Sequence, residues 1–509
     1  MASIEARNAS RTRNRLPRHL NNVVIGLDVG TTATKAALVD NNGNILALVR
    51  RTYGLLHPAP GHVEQSPVAL WHAVLECLRE LANQGGHMAR AIGVSTQGAT
   101  LILLRGSRPL CPAITWLDSR AVGVKQAMLD EYGTRFFLKR LGYPHPGLGA
   151  PLLCWLATHR AALFKKATRF AYVNDFITGK LTGRFVSDPT NVSISGFLNL
   201  QRQDWSDEIL GLAGITRDRV SEVQPSGVPV GTLSRAVARA TGLSPQTVVA
   251  APVHDQYAAT LGAGVTDMGQ MLLSCGTAWV LLMVTDRPVR DRDGGIYPGP
   301  HVIPDRYGAM VAMSNGSVVW DWLRRILGEN EEDFRTLEHR LQQVPAGARG
   351  VVMIPCFGES GVGAFPFHRG GMLTGLSLPT SRDDLLRACM EGLALETRWG
   401  LERLQRLGAH CCGVTMIGGA AGSRLWPQIV ADALNVPVQV PEECEAACLG
   451  AALLATVTTA GTHAPHGLRS LARQWAAARN RLLYRPRRHE AYHAAYAAYV
   501  GIRRHIKHA

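Results

Sequence analysis

The chain reads as an α/β protein whose two similar domains face each other across a cleft, and three observations lead there. Two strand–turn–strand segments of one design lie far apart, at residues 23–40 and 270–282. An acidic residue, Asp255, heads a stretch of small residues just ahead of the second segment. A glycine cluster, Gly418-Gly419-Ala420-Ala421-Gly422-Ser423, follows an apolar run and precedes a helix-forming one.

Val23 to Leu27 is the continuous apolar run of a buried strand. Asp28 follows, then the turn Gly30-Thr31-Thr32 and a second apolar strand closed by Asn41-Asn42-Gly43-Asn44, residues that accept positive φ. The turn offers backbone N–H groups and two hydroxyls to phosphate oxygens, and Asp28 can hold Mg²⁺ directly or through water. An ordinary glycine-containing hairpin reads the same way; recurrence of the design at Gly276-Thr277 favours phosphate. Asp255 reads either as a helix N-cap or as a carboxylate at the domain junction. The backbone of the Gly418 cluster can pass flat against a base or ribose, with a helix N-terminus facing phosphate.

Apolar periodicity predicts helices over residues 66–83, with Trp71, Val74, Leu75, Leu78 and Leu81 on one face, and over 151–163, 382–404 and 426–434. The organisation is a basic tail at 1–22, an N-terminal domain at 23–250 and a C-terminal domain at 251–509. The terminal helix is expected to pack back on the N-terminal domain.

Hydrophobic residues make up 46% of the chain, enough for sizeable cores. The apolar run from Ala446 to Val457 is too short to span a bilayer. No secretory h-region is evident, and ten cysteines without a C-x-x-C pair fit reduced thiols in a cytoplasm. The net charge of +15 is partly local: Arg7, Arg11, Arg13, Arg15 and Arg18 crowd the tail. Such charge can mark nucleic-acid or anionic-membrane contact, and an Arg-rich tail also fits a mitochondrial presequence. Without aromatic-interleaved basic motifs, an arginine-rich composition with a solvated tail is preferred. His489-Glu490-Ala491-Tyr492-His493 matches a zinc motif. Its third ligand is missing, and Tyr492, Tyr496 and Tyr499 recur at helical spacing, which reads as a packed amphipathic helix.

Further segments carry a resemblance: residues 61–67 (Gly-His-Val-Glu-Gln-Ser-Pro), 109–120 ending Asp118-Ser119-Arg120, Lys180-Leu181-Thr182-Gly183, Asp188-Pro189-Thr190-Asn191, 369–378 and Glu445 to Ala452. In order and spacing the motifs resemble those of the FGGY carbohydrate kinases, nearest the xylulokinase branch, over nearly the whole chain. The resemblance implies two ribonuclease-H-like (actin-like ATPase) domains flanking a catalytic cleft. It implies transfer of the ATP γ-phosphate to a ketose, a pentulose such as xylulose or ribulose, or to a related polyol. Erythritol, a hexulose or glycerol as acceptor, a non-kinase actin-like ATPase, and a sugar-binding regulator without turnover are the alternatives.

By the same resemblance Asp255 is the catalytic base. Asp28, Gly30, Thr31, Thr32 and Lys35 organise Mg²⁺ and the ATP phosphates, with Asp28 and Asp255 as metal ligands. Gly276 and Thr277 form a second phosphate loop, and Gly418, Gly419, Ala420, Gly422 and Ser423 border the adenosine. Gln97, Gly98, Ala99, Asp118, Asp255 and Gln256 are expected on the sugar. ATP and Mg²⁺ are the implied cofactors and a small sugar or polyol the implied partner; nucleic acid and membrane are not expected partners, and a homodimer is allowed.

The acceptor segment departs from the family. The xylulokinase-like branch carries Gln-Met-His-Gly and glycerol kinases Gln-Arg-Glu-Thr where this chain has Gln97-Gly98-Ala99-Thr100. Loss of the Arg-Glu pair disfavours glycerol, since a buried hydroxyl without its partner costs about 1–3 kcal/mol. The vacated volume is expected to admit a longer or branched sugar. Leu152 stands where the family usually has Lys, and Phe357-Gly358-Glu359-Ser360 replaces Ser-Gly-Glu-Arg.

Overall fold

The computed structural model describes residues 22–313, 315–329, 333–357, 370–442, 445–460, 465–487 and 490–506. The tail (1–21), Gly358-Glu359-Ser360, Cys444 and His489 of the zinc-like motif lie outside them.

Apolar runs interrupted by short polar turns fold into two sheets of like design. In the first, Val24–Val29 (β1), Ala33–Val39 (β2) and Ile45–Thr52 (β3) form an antiparallel meander. Ala91–Thr96 (β4) then pairs parallel to β1, and Val248–Ala250 (β5) and Val253–His254 (β6) pair parallel to β4. The second sheet repeats this with Gln270–Cys275 (β7), Trp279–Thr285 (β8), Tyr307–Met313 (β9), Gly413–Gly418 (β10) and Val438–Pro441 (β11). The order β3-β2-β1-β4-β5 matches β9-β8-β7-β10-β11, with the same parallel and antiparallel pairings. The duplication expected from the two hairpins is therefore a duplication of topology. The first sheet takes in β6, four residues beyond the domain break at 250 read from the sequence.

Each parallel step needs a crossover, and a helix supplies it. Pro67–Asn83 (α1) joins β3 to β4; the Ser66 hydroxyl caps it by accepting from Ala69 N at 3.2 Å. Its buried face is Leu70, Val74, Cys77, Leu78 and Leu81, rotated from the one expected, because Trp71 and Leu75 lie at its margin. Residues 255–262 form α2 (Asp255–Gly262). Arg382–Arg406 (α3), capped by Ser381 and Asp384, joins β9 to β10, and Trp426–Leu434 (α4) follows the glycine cluster as expected. The helix expected over 151–163 breaks at Arg160, whose φ of −136° ends one helix, Gly149–His159, and starts another, Ala161–Lys166.

Between the sheets lie α2 and Ala446–Ala460 (α5). α5 rests on β1 and β4, α2 rests on β7 and β8, and the two helices pack against each other. The contacts are backbone to backbone. A Cβ at Gly26 would stand 1.9 Å from Cys448 O, at Gly93 1.8 Å from Ala451 O, at Gly450 1.8 Å from Ala258 O and at Gly262 1.9 Å from Ala446 O. Only glycine permits this approach.

The part of the C-terminal half that packs back on the first domain is α5 together with Pro465–Ala477 (α6), not the terminal helix. Trp475 of α6 donates its indole N–H to Asn41 O at 3.1 Å and lies against Gly43 in the β2–β3 turn. The terminal helix Ala491–Ile506 (α7) instead packs on α3 and on the strand Val352–Ile354 of the second domain. Its tyrosines explain why. Tyr492 OH accepts from Arg387 at 3.0 Å and donates to Glu391 at 3.2 Å, while Tyr499 and Arg503 both donate to buried Glu396. Among the described residues no helix is long and apolar enough to cross a membrane.

Gly450→Ala tests the central packing. Alanine gains about 1 kcal/mol of helix propensity over glycine, but overpacking costs about 1–3 kcal/mol or more, and at 1.8 Å the clash is with rigid backbone. The midpoint of chemical unfolding should fall by at least about 1 kcal/mol equivalent, whereas Gly54→Ala, with nothing within 4 Å of the new methyl, should leave it unchanged.

Candidate active site

The first hairpin places its chemistry by register. Asp28, near the end of β1, sits opposite Lys35 on β2 and opposite Ser95 on β4, and Ser95 sits opposite Val253 on β6. One row across three strands thus carries Asp28, Ser95 and Val253, and Asp255 emerges two residues beyond it at the start of α2. Ser95 Oγ donates to Asp28 Oδ1 at 2.8 Å. Burial, then the charge of Asp255, pushes the Asp28 carboxyl up to about 7, against the pull of Ser95 and Lys35. Burial likewise pushes Asp255 up to about 7, opposed by hydrogen bonds from the backbone and side chain of Gln256. The Asp255 side chain keeps 27% of its surface open, so a solute in the cleft can reach it. Two such carboxylates are hard oxygen donors of like charge, and this donor set fits Mg²⁺.

Asp255 is also anchored from behind. Asp188 caps the helix Pro189–Ile194 and accepts from Asn191 Nδ2 at 2.6 Å, from Ser226 Oγ at 3.2 Å and from the Thr190 hydroxyl. Thr190 Oγ1 in turn accepts from His254 N at 2.9 Å. The Asp-Pro-Thr-Asn motif is therefore a buried bracket for the strand that leads into Asp255.

The turn of the first hairpin is held rigid. Gly30 O accepts from Tyr53 OH at 2.7 Å, and the Thr31 hydroxyl accepts from Trp116 Nε1 at 3.0 Å; Thr32 is exposed. Lys35 Nζ donates to Glu445 Oε2 at 2.6 Å, which ties the hairpin to the start of α5. Burial pulls Lys35 down, but Glu445 more than offsets it and the ammonium is held charged.

In the second sheet, pairing ends at Cys275 and Trp279, so Gly276, Thr277 and Ala278 form the turn. Gly276 and Thr277 are exposed, and their carbonyls accept from Ser317 N at 3.1 Å and Val318 N at 3.3 Å. β10 brings Gly418 opposite Cys275; its φ of +93° and the 2.6 Å that would separate a Cβ from Cys275 O both require glycine. The structure thus brings Gly276, Thr277, Gly418 and Gly419 together, with Gly422 exposed and Ala420 buried close by. Ser423 is buried, donating to Glu338 and accepting from Trp426 N at 2.8 Å. It caps α4 rather than offering its hydroxyl to a ligand.

Three acceptor-site expectations change. Gln97 is 2% exposed and fully engaged: Oε1 accepts from Thr31 at 3.2 Å and Thr100 at 3.1 Å, and Nε2 donates to Gly30 O at 3.2 Å and Gln65 at 2.8 Å. It is a strut between the Gly30–Thr32 turn and the loop at residues 98–100, with no lone pair or proton left for the expected sugar contact. Asp118 is likewise saturated, by Val63 N at 2.6 Å and by Arg120 through Nε and Nη2, each at 2.8 Å. Nor is volume vacated at Gly98: a Cβ there would meet Ile194 Cγ2 at 2.5 Å and His254 Cδ2 at 2.6 Å. Ala99 follows in the left-handed region at φ +57°, turning the loop. Gln256 remains beside Asp255, as the sequence places it.

Sequence reasoning did not give Ser95, Trp116, Thr190 and Glu445 their contacts, which arise from cross-strand register and long-range pairing. It passed over His254 too, although adjacency to Asp255 was a visible signal.

A model of the N-terminal domain of the FGGY family of carbohydrate kinases matches residues 23–262, and one of its C-terminal domain matches residues 271–459. A xylulose kinase of Bacillus subtilis (strain 168) is 30% identical, the match covering 85% of this chain and 87% of that protein. A gluconokinase of the same organism is 27% identical over 86% and 88%. A ligand-bound xylulose kinase from Lactobacillus acidophilus superposes with a TM-score of 0.88 at 25% identity, covering 96% of this chain and 99% of that one.

The carboxylate pair predicts a pH effect. Asp28 has an ordinary value of 3.8 and a folded value of about 7, so between these the folded chain retains a proton that the unfolded chain releases, and stability falls as pH rises through that window. With EDTA present, Asp28→Asn should raise the thermal midpoint relative to wild type at pH 8, and the gain should shrink by pH 4.5. A gain that is equal at both pH values would contradict the raised carboxyl.

Proposed function

The chain belongs to the FGGY family of carbohydrate kinases, and we propose that this sugar kinase transfers the γ-phosphate of ATP to a hydroxyl of a pentulose such as xylulose or ribulose. The observation that carries the reading is the Asp28–Ser95–Val253 row, which sets Asp255 beside the first phosphate hairpin. Phosphoryl transfer asks mainly for alignment and charge neutralisation, with one carboxylate near the nucleophile. Asp255 takes the proton of the attacking hydroxyl; the new bond from oxygen to the γ-phosphorus forms as the bond to the bridging oxygen breaks, and its electron pair leaves on ADP. Mg²⁺ held by Asp28 and Asp255 would neutralise phosphate charge. The turn at Gly30 to Thr32 faces phosphates from the first domain, and Gly276, Thr277 and the Gly418–Gly419 backbone face nucleotide from the second.

The likeness to the Bacillus subtilis xylulose kinase supports a ketose. A coupled ADP assay over D-xylulose, D-ribulose, D-gluconate, erythritol and glycerol tests this. A pentulose should give the highest kcat/KM; gluconate in first place would overturn the acceptor assignment, and no sugar-stimulated ADP release would overturn the kinase reaction.

Asp255→Asn should lower kcat by about two to four orders of magnitude, the range for loss of a general base. Nucleotide affinity by calorimetry should stay within a few-fold of wild type. Near-normal turnover would remove Asp255 from the base role.

A further inference from the structure

We propose that Glu445 is a positioning residue that draws the Lys35 ammonium away from Asp28, its neighbour across the strands, and so leaves the Asp28 carboxylate open to the cation of the nucleotide. The inference rests on the reading of Asp28 as a Mg²⁺ ligand. Asp28 on β1 and Lys35 on β2 are directly opposite in an antiparallel pair. Their side chains therefore leave the same face with Cβ atoms about 5 Å apart, and opposite charges so placed attract. Yet among the described residues no ion pair joins them. Lys35 Nζ lies instead 2.6 Å from Oε2 of Glu445, 410 positions along the chain. Asp28 accepts from Ser95 Oγ alone, through Oδ1 at 2.8 Å. One carboxylate oxygen of Asp28 is thereby left without a donor, on a side chain that is only half-buried.

The fold fixes where Glu445 stands. It immediately precedes α5, and its carbonyl accepts from Leu449 N at 2.9 Å, the first link of that helix. Three residues on, Cys448 O lies where a Cβ on Gly26 would come to 1.9 Å. α5 is thus pressed onto β1 at Gly26, which shares a strand face with Asp28 two positions later. A carboxylate at the head of this helix is favoured by the positive end of its dipole, and Lys35 reaches it from β2. The pair does little for stability: its side chains keep 30% and 33% of their surface, and ion pairs so exposed are weak. What it sets is the direction of the ammonium. Glu445 and then Asp28 are the carboxylates that act on Lys35, so loss of the first hands the ammonium to the second, where it would occupy the oxygen left for the metal.

The tests use the full chain. A crystal structure of Glu445→Gln without nucleotide should show Lys35 Nζ within about 4 Å of an Asp28 oxygen, the reach of an ion pair; an ammonium still turned away from Asp28 would overturn the proposal. Mn²⁺ alone, titrated without ATP and followed by the electron paramagnetic resonance of the free ion, gives a readout apart from turnover. Glu445→Gln should weaken Mn²⁺ binding about tenfold, the scale for losing a group that orients a metal ligand. Lys35→Met should change Mn²⁺ affinity less than about threefold in the wild-type background, yet in Glu445→Gln it should restore affinity to within about threefold of wild type, a non-additive cycle. Charge removal alone would give Lys35→Met the same effect in both backgrounds, so additive changes overturn the proposal. With the best acceptor of the assay above, Glu445→Gln should raise the KM for Mg-ATP about tenfold and move that for the acceptor less than about twofold; an equal rise in both would overturn it. Should Glu445→Gln fail to fold, Glu445→Ala takes its place in each measurement with the same outcomes. Asp28→Asn run alongside separates the two readings: unchanged Mn²⁺ affinity in that variant defeats the metal assignment, and the position of Lys35 in the crystal then decides the role of Glu445.

Discussion

Four glycines hold the two halves of this protein at the distance its chemistry needs. Gly26 and Gly93 let α5 lie on the first sheet, and Gly262 and Gly450 let α5 and α2 touch backbone to backbone. A layer of ordinary side chains at these contacts would push the sheets apart and carry Asp255, at the head of α2, away from Asp28 on β1. The same helix delivers Glu445 to Lys35 at 2.6 Å, so a residue far along the chain finishes the electrostatics of the first hairpin. The seam is continuous core: Val24 and Leu101 from the first domain, Leu453 from α5 and Leu282 from the second sheet belong to one buried cluster.

Within that frame the cleft is assembled against its own stability. Two buried carboxylates, one of them pushed further up by the charge of the other, are a cost to the fold, tolerated where a ligand relieves it. The surrounding polar groups leave little slack. Gln97 ties Gly30, Gln65, Thr31 and Thr100 together, Asp188 brackets Thr190, and Asp118 closes on Arg120. Residues that look from sequence like ligand-binding groups are in good part the scaffold that keeps fewer groups pointed at the ligand.

What was legible in the sequence was local. Apolar runs with a Gly-Thr turn located both hairpins, and the pattern at Trp426 fixed α4 to the residue. The position of Asp255 before the second hairpin marked the junction. Register across strands was not legible, because nothing near Asp28 in sequence says that β4 lies beside it with Ser95 opposite. Saturation was not legible either: Gln97 and Asp118 have the right chemistry for a sugar, and only the partners around them show it already used. The terminal helix misled for a related reason. Its tyrosine stripe predicts a buried face but not which domain covers it, and Glu391 and Glu396 on α3 decide that.

The clasp of Trp475 on the Asn41 carbonyl joins residues 434 positions apart, and α5, which completes the core under β1, also lies near the end of the chain. At ribosomal speeds of about 5–20 residues per second, the first sheet, complete at His254, waits roughly 10 to 45 seconds before the helices that cover it, ending at Ala477, are made. For that interval the nascent chain displays β1 and β4 with their glycine-lined face bare. The first domain, although made earlier, can close its core only after α5 and α6 have left the ribosome.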